Sequence, residues 1–117
     1  MSKRLTKLLD ITLEKEDMEG DIATEVARPK LQVPPMYKVV LLNDDYTPMD
    51  FVVDVLKRYF TMDEDRATVI MLEIHTKGRA TCGLYSRDVA ETKVAQINDY
   101  SKESGYPLLC IMEVDRQ

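Results

Sequence analysis

The chain has 117 residues, 44% of them hydrophobic, enough for one core and too few for two with a linker. A formal net charge of -5 excludes a nucleic-acid grip by bulk electrostatics, because a phosphate-binding surface needs a basic excess. No apolar run approaches the length of a membrane span, and the N-terminus mixes Lys3, Arg4 and Lys7 with Asp10 and Glu14 where a signal peptide would be apolar. A soluble, unprocessed, cytoplasmic protein is expected.

Residues 1–35 carry seven acids against six bases, have sparse large apolar residues and close on Pro34-Pro35. They are expected to form a disordered extension. Leu5, Leu8, Leu9, Ile11 and Leu13 suit a short amphipathic helix on a partner, but alone they bury too little to offset the entropy of ordering. The folded domain is expected over 36–117. Tyr37 to Leu42 is β-rich and bounded by prolines before and Asn43-Asp44-Asp45 after, which marks a first strand. Thr47-Pro48-Met49-Asp50 then predicts a helix start, with the Thr47 hydroxyl as cap and proline at the first helical position. Val52, Val55, Leu56 and Tyr59 share one face of that helix.

Thr61-Met62-Asp63-Glu64 repeats the capping pattern before a second helix carrying Ala67, Ile70, Met71 and Ile74, which Gly78 should end. Ala80, Cys82 and Leu84 alternate along a second strand, and Ser86 is placed to cap a third helix through Val89, Ala90, Val94 and Ile97. Gly105 and Pro107 stop that helix before a last apolar strand, Leu108 to Val114. The order β-α-α-β-α-β predicts an α+β fold: a small α/β sandwich with three helices on one face of a three-stranded antiparallel sheet. Cys82 and Cys110 stand in apolar strands without metal-ligand spacing, so both are expected to be buried reduced thiols. No metal or cofactor site is expected.

Three features have simple structural explanations when taken singly. Asn43-Asp44-Asp45 suits a tight turn, the lone histidine His75 suits a helix C-terminus, and Met49 and Met71 suit core filling. Together the run Pro35-Met36-Tyr37-Lys38-Val39-Val40-Leu41-Leu42-Asn43-Asp44-Asp45-Tyr46-Thr47-Pro48-Met49-Asp50-Phe51-Val52 resembles the signature of the ClpS family. The similarity continues through Arg66-Ala67-Thr68, Met71-Leu72, Ile74-His75, Gly78, Ala80 to Gly83, Val89 to Val94 and Pro107 to Cys110, and leaves out the extension.

That resemblance implies a non-enzymatic adaptor of the N-end rule (N-degron) pathway. Such an adaptor binds the free N-terminal Leu, Phe, Tyr or Trp of a substrate, delivers it to the ClpA unfoldase of ClpAP or a ClpC-type relative, and modulates the unfoldase's substrate choice. It implies that Asn43, Asp44 or Asp45, and His75 surround the substrate's α-amino group, and oriented carboxylates do suit an ammonium ion. It places Thr47, Met49, Val52, Met71, Ile74 and Leu108 around the first side chain, with Met49 gating against β-branched residues. Asp88 and Lys93 fall at positions implicated in docking the unfoldase, and the extension is implied to act in delivery. Two departures are modest: Ile74 replaces a smaller valine, and Asp88 a longer glutamate.

An enzyme using Asp44, Asp45 and His75 is the main competing class. There is no second metal-ligand cluster, phosphate loop or nucleophile elbow to support it. A generic interaction domain like the C-terminal domain of ribosomal protein L7/L12 is a third reading, opposed by the full Asn43 to Met49 run with His75 and Leu108.

Overall fold

The computed structural model describes residues 33–116, so the expectation of disorder for the extension falls almost wholly outside the described residues. Strand β1 (Tyr37–Leu42) is followed by helices α1 (Met49–Phe60) and α2 (Glu64–Lys77), strand β2 (Arg79–Tyr85), helix α3 (Arg87–Glu103) and strand β3 (Leu109–Val114). The expected β-α-α-β-α-β order is the one observed. β1 lies at the centre of the sheet, antiparallel to both neighbours, in the order β2-β1-β3. The central position goes to the strand with the most continuous burial: Val39, Val40 and Leu41 are all fully buried.

Alternation sends Val39 and Leu41 toward the helices, where they meet Ala80 and Cys82 of β2, Cys110 of β3 and the apolar faces of all three helices. Those helix faces are Val52, Val55, Leu56 and Phe60 on α1, Ala67, Ile70, Met71 and Ile74 on α2, and Ala90 and Ile97 on α3. Val40 points the other way. Arg79, opposite Leu42, bridges to Glu113, opposite Lys38, at 2.6 Å, so the ion pair crosses the central strand diagonally at Val40. The bridge roofs Val40 on the face that carries no helix.

Both cysteines are buried free thiols, and burial pushes each up to about 12, which leaves them inert as nucleophiles. Cys82 is also the extra residue of a β-bulge, since Val39 pairs Gly83 and Val40 pairs Thr81. The ring of Tyr85 lies where a Gly83 side chain would stand, so that position has no room for one. At the other edge, the Asn98 side chain accepts from the Cys110 amide at 2.8 Å and donates to its carbonyl at 3.0 Å. Asn98 thus imitates a neighbouring strand for one residue and fastens α3 to β3.

The helix ends differ from expectation in three places, the first being that Ser86 holds the N-cap position of α3 but its side chain makes no cap hydrogen bond. The Thr47 hydroxyl does not cap α1; it donates to Asp44, and the N-cap position is Pro48, whose carbonyl accepts from the amides of Phe51 and Val52. Thr61 is not the N-cap of α2 but the C-cap of α1, in a left-handed conformation with φ 52°. Asp63 caps α2 by accepting from the Arg66 amide at 2.8 Å. Gly78 ends α2 as expected, with φ 90° and its amide bonded to the Ile74 carbonyl.

Candidate functional site

The site begins with a single backbone hydrogen bond. The Asn43 amide, just past β1, donates to the Gly78 carbonyl at 2.9 Å, which ties the end of the first strand to the end of α2. His75 lies three residues before Gly78 in the last turn of α2 and is thereby brought to the mouth of the 43–48 loop. The loop is held by one carboxylate. Asp44 Oδ1 accepts from the amides of Tyr46 (2.8 Å) and Thr47 (2.7 Å), and its Oδ2 accepts from the Thr47 hydroxyl (2.7 Å).

Partial burial pushes the Asp44 carboxyl up, but the Thr47 hydroxyl and the Tyr46 and Thr47 amides outweigh it and hold the group below the usual aspartate range. Both of its oxygens accept hydrogen bonds from within the loop. Asp45, exposed next in sequence, has no hydrogen bond or ion pair among the described residues, and neither do the side chains of Asn43 and His75. Three polar side chains thus stand free at one end of the site.

They border a cavity of about 380 Å³, within the size range of small-ligand pockets. Its walls are Asn43, Asp44, Asp45, Tyr46, Thr47, Pro48, Met49, Val52, Met71, Ile74 and His75. Val52 (7% exposed), Met71 (8%) and Ile74 (2%) are its floor, rooted in the core, whereas Met49 at 46% is a lip. The packing of α1 against α2 supplies this floor from two helical faces.

All of the residues assigned to the amine end line the cavity, as do Thr47, Met49, Val52, Met71 and Ile74. Leu108 is not in the wall; it is 3% exposed and belongs to the core cluster. Tyr46 and Pro48 line the cavity without having been singled out, and their place inside the Asn43 to Met49 run was the available signal. Asp88 and Lys93 lie apart, on α3. Asp88 is exposed in its first turn. Lys93 is half-buried: its ammonium donates to the Tyr59 carbonyl at 2.7 Å and stands over the rings of Phe60 and Tyr85.

Exposed polar side chains beside an apolar hole suit a small ligand that is both cationic and apolar. Among the described residues no group of three or more His, Cys, Asp or Glu side chains is placed to hold a metal ion. No helix among them is long and apolar enough to cross a membrane. The family model described as ATP-dependent Clp protease adaptor protein ClpS matches residues 32–111, and the chain belongs to that family. The chain is therefore a Clp protease adaptor of a non-catalytic family. It is also similar to the solved structure of Agrobacterium tumefaciens ClpS2 bound to L-phenylalaninamide, at 46% identity and a TM-score of 0.69 over 71% of this chain and 100% of that one.

Proposed function

We propose that this adaptor captures the exposed first residue of a substrate, holding its α-ammonium group at Asn43, Asp45 and His75 and its side chain in the cavity floored by Val52, Met71 and Ile74. The observation that carries this is the division of labour between neighbouring carboxylates. Asp44 makes three hydrogen bonds within its own loop, while Asp45 makes none among the described residues and stands beside an apolar hole. The ligand of the Agrobacterium relative combines the same two features, a free α-amine and a bulky apolar side chain. Leu, Phe, Tyr and Trp are the expected first residues. Burying such a side chain contributes about 2 to 3 kcal/mol, and each charge-assisted hydrogen bond about 1.5 to 3, before association costs of several kcal/mol.

Met49 is the specificity lip. The family resemblance gives the rim methionine the role of a gate against a branch at the guest's β-carbon, so Met49→Ala is expected to admit Ile and Val; titrations showing the same rejection in the variant would remove Met49 from that role. The partner for delivery is a ClpA or ClpC-type unfoldase docked on α3, with Asp88 the exposed charge and Lys93 holding the helix in place. Residues 1–30 act in delivery: their deletion is expected to leave peptide binding intact and to abolish stimulated degradation in a reconstituted assay. Two buried, unoxidised thiols suit the reducing cytoplasm. The central test is calorimetric titration with a Leu-starting peptide and its N-acetylated twin. Only the free amine should bind, and equal binding of both would overturn the assignment.

A further inference from the structure

A second cavity of about 380 Å³ lies beside the first, along the groove between α1 and α2, and the two share Met49 and Met71 as common walls. Its apolar floor is Met49, Val53 and Met71, and its rim is Asp50, Asp54, Lys57 and Glu64. The rim charges are unequally engaged. Glu64 is bonded to Lys57 at 2.6 Å, and Asp54 accepts from the Tyr100 hydroxyl at 2.7 Å and faces Arg58 at 3.5 Å. Asp50, exposed in the first turn of α1, has no partner among the described residues. An apolar trough with one unanswered carboxylate fits a side chain that has a hydrocarbon stem and a cationic head.

Chain geometry identifies which residue of a bound peptide would reach it. In an extended segment successive side chains point to opposite sides, and residues two apart point the same way, separated by about 6.6 to 6.8 Å. With the first side chain in the first cavity, the second turns away and the third returns to the same surface. The two cavities adjoin across Met49 and Met71, so side chains two residues apart can occupy both.

We propose that the α1/α2 groove is a subsite for the third residue of the captured substrate and that it selects Lys or Arg there over Asp or Glu, through Asp50. The proposal rests on the first-residue assignment made above. Asp50 is here a specificity residue with no role in holding the amine.

The test is fluorescence anisotropy with labelled peptides that begin Leu-Ala and carry Lys, Ala or Glu at position three, against a set that places the same residues at position two. The full chain and its Asp50→Asn variant are compared. Lys at position three should bind more tightly than Glu by about fivefold, the upper range for an exposed ion pair. The spread should shrink with added salt and collapse in Asp50→Asn, and the position-two set should be nearly flat. A flat position-three series, a spread that survives Asp50→Asn, or a larger spread at position two would each overturn the subsite. N-acetylated controls separate the two levels. If binding needs the free amine but ignores position three, only the subsite fails; if binding ignores the amine, the first-residue assignment fails with it.

Discussion

The socket at the end of β1 and the surface of α3 use charge in different ways. In the socket, one carboxylate is consumed in building the loop and the next is left unanswered at the edge of an apolar cavity. On α3, Asp88 is exposed on a helix surface, and Lys93 is turned inward onto the Tyr59 carbonyl and two aromatic rings. Charge beside a buried apolar floor makes a binding site for a small group, because the floor supplies affinity and the free acceptors supply orientation. Charge on a helix surface is suited to a broad partner, where each exposed pair contributes about 0 to 1 kcal/mol.

Substitutions at these positions can break that contrast. The largest effect is expected at Asp45: removing a charge-assisted contact to the ammonium group should weaken peptide binding by about 10- to 150-fold, equivalent to about 1.5 to 3 kcal/mol. Thermal melting should stay unchanged, because Asp45 is exposed and has no partner among the described residues. Asp44→Ala should behave otherwise, weakening binding by about tenfold through loss of the loop's shape while also lowering stability by about 1 to 2 kcal/mol. A variant that loses affinity with an unchanged melting curve would show that Asp44 contacts the ligand directly.

Lys93→Ala is the counterpart on α3. It leaves the Tyr59 carbonyl without its donor and removes two cation-π contacts, for an expected loss of about 1 to 3 kcal/mol in urea unfolding. Peptide affinity should change by less than about twofold. A larger change would mean that α3 and the socket are coupled.

The smallest effect is a pH dependence. Asp44 is held below its ordinary range in the folded state, so its contribution to stability is present above the unfolded aspartate value and is lost as pH falls through the lower folded one. Glu113, held low by the Arg79 bond and charge, acts in the same direction. The stability gap between wild type and Asp44→Asn should therefore narrow as the pH is taken below about 4. A gap that stays constant down to about pH 2 would contradict the Asp44 assignment.

Much of this was legible in the sequence because the signals repeat along the chain. Helical spacing placed Val52, Val55 and Leu56 on one face, and a glycine stood where α2 needed a left-handed end. The caps were misread for a local reason. A Thr followed by Pro resembles a helix start, but the Asp44 carboxylate three residues earlier competes for the same hydroxyl, and the outcome depends on how the loop closes. Thr61 fits a capping pattern equally well at either end of the α1–α2 turn, and its positive φ is a property of that turn alone. Leu108 was placed around the first side chain by the family resemblance alone; in the structure it is 3% exposed and belongs to the core cluster. The second cavity had no sequence signature, since Asp50, Val53 and Lys57 read as an ordinary amphipathic helix until α2 is set beside them.

The Asn98 clasp on Cys110 also matters for a protein that meets unfolded chains. An open sheet edge invites any extended segment to join it as a further strand, through backbone bonds that ignore sequence and are slow to undo. By occupying the β3 edge at Cys110, the second residue of the strand, Asn98 interrupts that template there. Cargo then has its first residue as its handle, and a handle of a few contacts can be surrendered when an unfoldase begins to pull.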